Sequence, residues 1–323
     1  MSSVSAPKGD SSSPSYPTPT PLLDHIVILV PHAFLASPPA WFAEAFTLYP
    51  GGKHADGVTE NVLVFFADGS YLELIAFVED DVGRGGGAGH RWGGQREGTV
   101  IDWALTLLPS STSSSPPADG DVERLGPVSS AFKRIQQKVR NTNTGIEYRD
   151  LVRGGRNRPD GVALKWATSA AADEANGGKP LEPGVLPFWC LDETRRGLRV
   201  PYREQGGKLA EHASGAVGVA VLQVTPPAAA AAESEHLRPV YDVLFSKSES
   251  GVEGRWAVGT PEEGHHQHGE VHLKTDSGNN VNQKGTEKLT ITFFTTSRDF
   301  AGRKIGGHIT DQVRLEFEFV SSD

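Results

Sequence analysis

The stretch LDHIVILVP at Leu23–Pro31 returns as IDWALTLLP at Ile101–Pro109, and PGGKHADGV at Pro50–Val58 returns as RGGRNRPDGV at Arg153–Val162. One unit is therefore written twice in the same order, and two such copies must bury their apolar faces against each other. In the first copy Leu23–Val30 is apolar and β-branched with only Asp24 and His25 interrupting it, the pattern of a strand covered on both faces. Pro39–Thr47 puts Trp41, Phe42 and Ala45 on one helical face behind a first-turn proline. Asn61–Ala67 and Tyr71–Phe77 then read as strands joined at Asp68-Gly69, a hairpin turn signal. In the second copy Ile101–Pro109 leads to an amphipathic helix over Val128–Val139, with Val128, Phe132, Ile135 and Val139 on its apolar face. Strands at Ala163–Thr168 and within Gly184–Asp192 complete it. Each copy reads βαβββ.

The remaining segments divide by composition. Residues 1–20 are rich in Ser and Pro and short of large aliphatic side chains, so they read as a disordered tail. Ser110–Gly120, Ala171–Pro183 and Pro226–Glu233 read as solvated insertions. The expected domain plan is a tail over 1–20, a two-module unit over 21–200 (modules 21–80 and 99–200), and a partial third α+β module over 201–323. That last module has a strand from Gly215, a helix at His236–Phe245 and several further strands.

Composition then excludes whole classes of partner. Lys and Arg total 31 against 40 Asp and Glu, a net charge of -9, and no basic run tracks a phosphate backbone, so nucleic acid is not an expected partner. No apolar stretch approaches the roughly 20 residues that span a bilayer, and no membrane partner is expected. A single cysteine, Cys190, rules out an internal disulfide. With no apolar signal core at the start, the expected location is cytoplasmic.

Taken together, LDHIVILV, GGKHADGVTENVLVFF, DGSYLELIAF and REGTVIDWALTLL resemble the glyoxalase-like branch of the vicinal oxygen chelate superfamily. The resemblance implies an α+β fold in which tandem βαβββ modules form a cup-shaped half-barrel, here with a third partial β-rich unit. It also implies metal ligands on the first and fourth strand of each module. In the first copy these positions hold His25 and Glu73; in the second, alignment of the repeats puts Trp103 and Phe188 there. By resemblance, then, the cup binds or acts on a small oxygenated or carbonyl metabolite, with Glu73 as ligand or catalytic base. The implied cofactor is a divalent metal such as zinc, nickel, iron or manganese. A metal-free binding protein on the same fold is the second reading, and protein contacts made by the last third are a third.

Physical chemistry adds weight to the same residues. An ionised carboxylate in an apolar strand costs several kcal/mol unless a cation or hydrogen bonds compensate it, so Glu73 needs a partner. Strand alternation puts Tyr71, Glu73, Ile75 and Phe77 on one face and His25, Val27 and Leu29 on one face of the first strand. His54 in GGKHADG is the nearest further metal donor, with His90 and His212 as others. Asn61, Arg91, Trp92, Trp103, Arg156, Arg158 and Phe188 are the expected ligand-binding residues, the two arginines of GGRNRPDG because they suit a substrate carboxylate. GRGGGAGHRWGG at Gly83–Gly94 reads as a rim over the cup rather than a phosphate loop, because no helix comes after it. Cys190, between Trp189 and Leu191, reads as an inert small hydrophobe. The histidine run GHHQHGEVH at Gly264–His272 reads either as a surface loop or as a second chelating site.

Overall fold

The computed structural model describes residues 20–78, 87, 89–109, 125–226, 234–262, 268–274 and 289–322. Apart from Thr20, the tail lies outside them, as do Ser110–Gly120 and nearly all of Pro226–Glu233. The first copy runs β1 (Leu22–Leu29), two short helices at His32–Ala36 and Ala40–Ala43, β2 (Tyr49–Lys53), β3 (Thr59–Phe65) and β4 (Tyr71–Phe77). The helix expected over Pro39–Thr47 is the short one at Ala40–Ala43, and the connection before it adds another at His32–Ala36; Pro31 and Pro39 each stand immediately before one of the two. The hairpin turn is as expected, with Gly69 at φ +80°.

The second copy runs β5 (Thr99–Thr106), a helix at Leu125–Arg140, β6 (Ile146–Tyr148), β7 (Val152–Asn157), β8 (Ala163–Ser169), β9 (Ala171–Asp173), β10 (Lys179–Pro180) and β11 (Phe188–Asp192). Eight of these strands make one sheet in the order β2-β3-β4-β1-β5-β11-β8-β7. The order is symmetric about the antiparallel β1–β5 pair, with β1 parallel to β4 and β5 parallel to β11. Its two ends meet: His54 bridges Arg156, and the Ala55 amide donates to the Gly155 carbonyl at 2.9 Å. The sheet thereby curls into a nearly closed barrel, and the α+β, cup-forming βαβββ fold is as the repeat demands. One segment differs from expectation. Ala171–Pro183 is solvated only in part: β9 pairs with β6 on one side and β10 on the other in a separate three-stranded sheet that buries Ala171 and Ala172, while Glu174–Gly177 and Lys179–Pro180 are exposed.

The last third forms a second sheet from β12 (Ala216–Val224), β13 (Ser246–Lys247), β14 (Arg255–Val258), β15 (Gly269–Leu273), β16 (Leu289–Thr295), β17 (Lys304–Thr310) and β18 (Val313–Ser321). Its order, β13-β14-β15-β12-β16-β18-β17, repeats the first sheet: β12 is parallel to β15 and antiparallel to β16, and β16 is parallel to β18. Strands β12 to β15 with the helix Ser234–Leu244 make the third β-rich unit, while β16 to β18 repeat the other half-sheet with turns in place of a helix. One continuous buried cluster lies between the two sheets and includes Trp103, Phe132, Trp189, Tyr241, Phe293 and Phe317. The opposite face of the first sheet, lined by Val27, Leu29, Ile75, Ile101, Phe188 and Cys190, is the apolar wall of the barrel interior. Among the described residues no helix is long and apolar enough to cross a membrane.

Candidate functional site

The barrel interior holds a cavity of about 380 Å³, within the range of about 300–1,000 Å³ usual for small-molecule sites. His25 from β1, Asn61 from β3, Glu73 from β4, His54 after β2, Arg156 from β7 and Phe188 from β11 line it, with Arg91 and Trp92 from the segment before β5. The pairing explains the convergence. Val27 sits opposite Glu73 and Leu63 opposite Glu73 on the other side, so the alternation that turns Val27 inward turns Glu73 inward too.

Glu73 is 5% exposed. Asn61 Nδ2 donates to its Oε1 at 2.6 Å, His54 Nε2 lies 3.5 Å from Oε1, and His25 Nε2 lies 3.5 Å from Oε2. Both imidazoles are oriented from behind. His25 Nδ1 donates to Asp24 Oδ2 at 2.6 Å, since a carboxylate only accepts, and this aims Nε2 at Glu73. For His54, Asn61 Nδ2 lies 3.4 Å from Nε2, which makes Nε2 the acceptor and Nδ1 the donor to Thr59 Oγ1 at 2.6 Å. Burial pushes the His54 pKa below its ordinary value, with the Glu73 charge opposing the shift, so that imidazole is neutral at pH 7.

Asp24 is fully buried. Burial alone would raise its pKa, but the Arg196 and Arg199 guanidiniums, helped by His25, outweigh that and hold it well below the usual carboxylate range. Arg199 is shared with Asp192 at 2.5 Å and with the Tyr71 hydroxyl at 2.7 Å. The repeat partner of Asp24 is Asp102, and it too takes an arginine: Arg91 Nε and Trp92 Nε1 both donate to Asp102 Oδ2 at 2.8 Å. Each module's first strand thus clasps an arginine from the chain just beyond the last sheet strand of the other module.

Two expected site residues lie elsewhere. Trp103 does not line the cavity; it stacks on Tyr241 and Phe245 in the core between the sheets and donates to the Gly184 carbonyl at 3.1 Å. The reason is a pair of bulges placed differently in the two copies. Leu23 pairs with Leu105 and His25 with Ala104, leaving Asp24 as the extra residue on β1; Val27 pairs with Asp102 and Ile28 with Val100, leaving Ile101 as the extra residue on β5. Matching bulge to bulge sets the two strands one residue out of step with the lettered repeat, His25 matched to Asp102 and Ile26 to Trp103, so His25 points inward and Trp103, like Ile26, outward. Arg158 is likewise outside the cavity, paired with Asp160 at 2.7 Å and donating to the Leu198 carbonyl at 3.2 Å. Of the further donors, His90 lines the cavity, but His212 does not. His212 is held behind β3 between the Thr47 amide at 3.0 Å and the Phe65 carbonyl at 2.8 Å.

Sequence reasoning missed Trp166, Tyr71 and Arg199 as lining residues. Alternation around the exposed Lys165 of ALKWAT was a usable signal for Trp166, because a charged outer face turns the tryptophan inward. The buried Asp24 called for a cation, but nothing in the spacing pointed to Arg199. Cys190 lines the cavity with its thiol pKa pushed well up by burial, which keeps it protonated.

Two donor sets present themselves for a metal. Asp24, His25 and Cys190 bring ligand atoms within 4.8 Å of one another, but Asp24 is already neutralised by two arginines and the thiol is protonated. That trio does not suit a cation. His25, Glu73 and His54 do by chemistry: two imidazole nitrogens, each anchored through its other nitrogen, flank a carboxylate that has no guanidinium or ammonium partner among the described residues. They flank Glu73 from two sides, so binding all three to one ion requires the imidazoles to close inward.

The glyoxalase-like domain family matches residues 23–239. No curated protein matches the chain. Among solved structures, a hypothetical protein from Staphylococcus aureus is similar in fold at 11% identity, with a TM-score of 0.56 over 93% of this chain and all of that one. Methylmalonyl-CoA epimerase from Mycobacterium tuberculosis aligns at 10% identity and a TM-score of 0.29, over 53% of this chain and 87% of that one. A glyoxalase I mutant from Zea mays aligns at 8% identity and a TM-score of 0.24, over 92% of each chain. A family match across most of the chain, on the duplicated βαβββ barrel just described, means that the chain belongs to the glyoxalase-like domain family.

Proposed function

We propose that the barrel cavity binds and acts on a small oxygenated or carbonyl metabolite, with Glu73 as the reacting carboxylate between His25 and His54. The observation that carries this reading is the state of Glu73: nearly buried, facing a ligand-sized cavity, hydrogen-bonded among the described residues by the Asn61 amide alone, and flanked at 3.5 Å by two imidazole Nε2 atoms. Such a carboxylate is stabilised by binding a cation or by taking a proton from a ligand. A divalent metal held by His25, Glu73 and His54 would polarise a ligand oxygen. On the chain's own side, Asp24 fixes the His25 tautomer and Asn61 fixes the Glu73 rotamer. Phe188 and Trp92, packed edge to face, give the cavity an aromatic wall.

The separation of the two imidazoles on either side of Glu73 favours a second reading, in which no metal is used and Glu73 is a proton acceptor or ligand clamp. Elemental analysis of protein purified without added metal distinguishes the two. Stoichiometric zinc, nickel, iron or manganese, retained by the wild type and lost in His25→Ala and Glu73→Gln, supports the metal reading. Metal-free protein whose binding of a small carbonyl probe such as pyruvate is indifferent to chelator and weakened in Glu73→Gln supports the second. Probe binding unchanged in Glu73→Gln overturns both.

A further inference from the structure

Arg156 is a buried guanidinium with no anion in contact with it, the Glu73 carboxylate acting on it only from beyond ion-pair distance. It is 5% exposed and lines the cavity, its Nη1 donates to the Gly51 carbonyl, and among the described residues no carboxylate stands within ion-pair distance of it. The contrast with Arg199 is plain, since that equally buried arginine is matched by Asp24 and Asp192. A guanidinium taken out of water is costly unless an anion meets it, and carboxylate geometry matches its fork of donors. The cavity is where such an anion has room.

The surroundings of Arg156 are flat rings. On the β7–β8 ladder Gly154 pairs with Trp166 and Arg156 with Leu164, so Arg156 and the indole are diagonal neighbours on the inward face. Gly154 makes space for that indole: a Cβ there would sit 3.0 Å from its Nε1. Across the seam His54 meets Trp166 edge-on at 5.9 Å. Elsewhere around the cavity Trp92 packs against Phe188 at 6.1 Å, and Asp102 holds the Trp92 indole nitrogen at 2.8 Å, so the ring is fixed before any ligand arrives.

We infer that the cavity takes a flat aromatic carboxylate, with the ring against Trp166 and the Trp92–Phe188 pair and the carboxylate on Arg156. This rests on the reading of the barrel interior as the ligand site and names the class of ligand it selects. Aromatic walls reward a planar ring by offset or edge contact beyond the area buried, and a charged fork in a dry site rejects the neutral isostere.

The probe is 2-naphthoate, compared with 2-naphthamide, which keeps the ring and loses the charge, and decahydro-2-naphthoate, which keeps the charge and loses the planarity. Binding is read by calorimetry on the full chain, in EDTA so that a metal cannot hold the carboxylate. The expected result is naphthoate binding at least tenfold tighter than either analogue. Arg156→Met should erase the preference for naphthoate over naphthamide while naphthamide still binds, which also shows that the variant is folded. Arg156→Lys should keep part of the preference, and Trp166→Leu should weaken both ring compounds together. Equal binding of the decahydro acid, a preference that survives Arg156→Met, or no binding of naphthoate to wild type overturns the inference. Naphthoate preference that persists in Glu73→Gln separates the two ideas: the ligand class then stands even where the chemistry assigned to Glu73 fails.

Discussion

Asn61 shows how little slack the site has. Its amide is caught between the Glu73 carboxylate and the His54 ring, and its Oδ1 faces Gly51 so closely that a Cβ at position 51 would lie 1.8 Å away. Gly51→Ala must therefore push the amide off Glu73. The expected loss is about 1–3 kcal/mol, the cost of leaving a buried polar group unsatisfied, together with weaker ligand binding. Urea unfolding checks the first and calorimetry the second; an unaltered midpoint would show that Asn61 can retreat without cost. His212 makes a second test, by pH. Its Nδ1 accepts from the Thr47 amide and its Nε2 donates to the Phe65 carbonyl, while Phe46 and Phe66 pack edge-on to the ring. Burial pushes its pKa down to about 4. Because the unfolded chain protonates near the ordinary value of about 6.5, it binds more protons than the native state between those values. Stability is full above pH 6.5, falls through the window down to pH 4, and changes no further from this group below it. The total is about 3 kcal/mol. His212→Gln should flatten the pH dependence of the unfolding midpoint across that window, and an undiminished slope would assign it to other groups.

Between the strands, the two arginine clasps differ in burial. Asp24, fully buried, neutralises Arg196 and Arg199, which lie just beyond β11. Asp102 holds Arg91, whose side chain is a quarter exposed, and also accepts from the Gly184 and Trp103 amides. Asp24→Ala leaves two guanidiniums with only Asp192 between them, and should cost about 3–5 kcal/mol. Asp102→Ala should cost less, about 1–3 kcal/mol, and should instead show in ligand affinity because Arg91 and Trp92 lose their anchor. Unfolding midpoints in urea rank the two, and a reversed order would contradict this account. The same strands show what pattern reading reaches. Apolar runs and turn residues placed β1, β3, β4 and the long helix of the second copy to within a few residues, because those signals are local. The bulges at Asp24 and Ile101 were not legible, since a bulge is settled by pairing with a strand far along the chain, and with them went the facing of Trp103.

Across the whole molecule, the two sheets share one core. Trp103 on β5 stacks on Tyr241 of the helix Ser234–Leu244 and on Phe245 just after it, the Tyr241 hydroxyl donates to the Val185 carbonyl at 2.7 Å, and Trp41 and Phe42 pack near Phe317 of β18. Cutting the chain after residue 200 would bare these aromatic faces, each worth about 1.5–3 kcal/mol when buried. A fragment covering 21–200 should therefore fail to unfold cooperatively, while the full chain melts in one transition. Calorimetry on both decides it, and a sharp transition in the fragment would show that the barrel stands without its partner sheet.

The repeat written into LDHIVILVP and IDWALTLLP was enough to require two βαβββ copies, because apolar periodicity and turn chemistry act within a few residues. It was enough, too, to single out His25, Asn61 and Glu73, since a polar side chain in an apolar strand announces itself in the letters, with His54 of GGKHADG as the nearest further donor. Which arginine faces the ligand space was decided only by the folded chain. Arg156 and Arg158 stand two residues apart in one turn-rich segment, yet one closes the barrel seam beside His54 and the other pairs with Asp160 outside. That choice depends on where β2 meets β7, a contact between residues more than a hundred positions apart that no local pattern encodes.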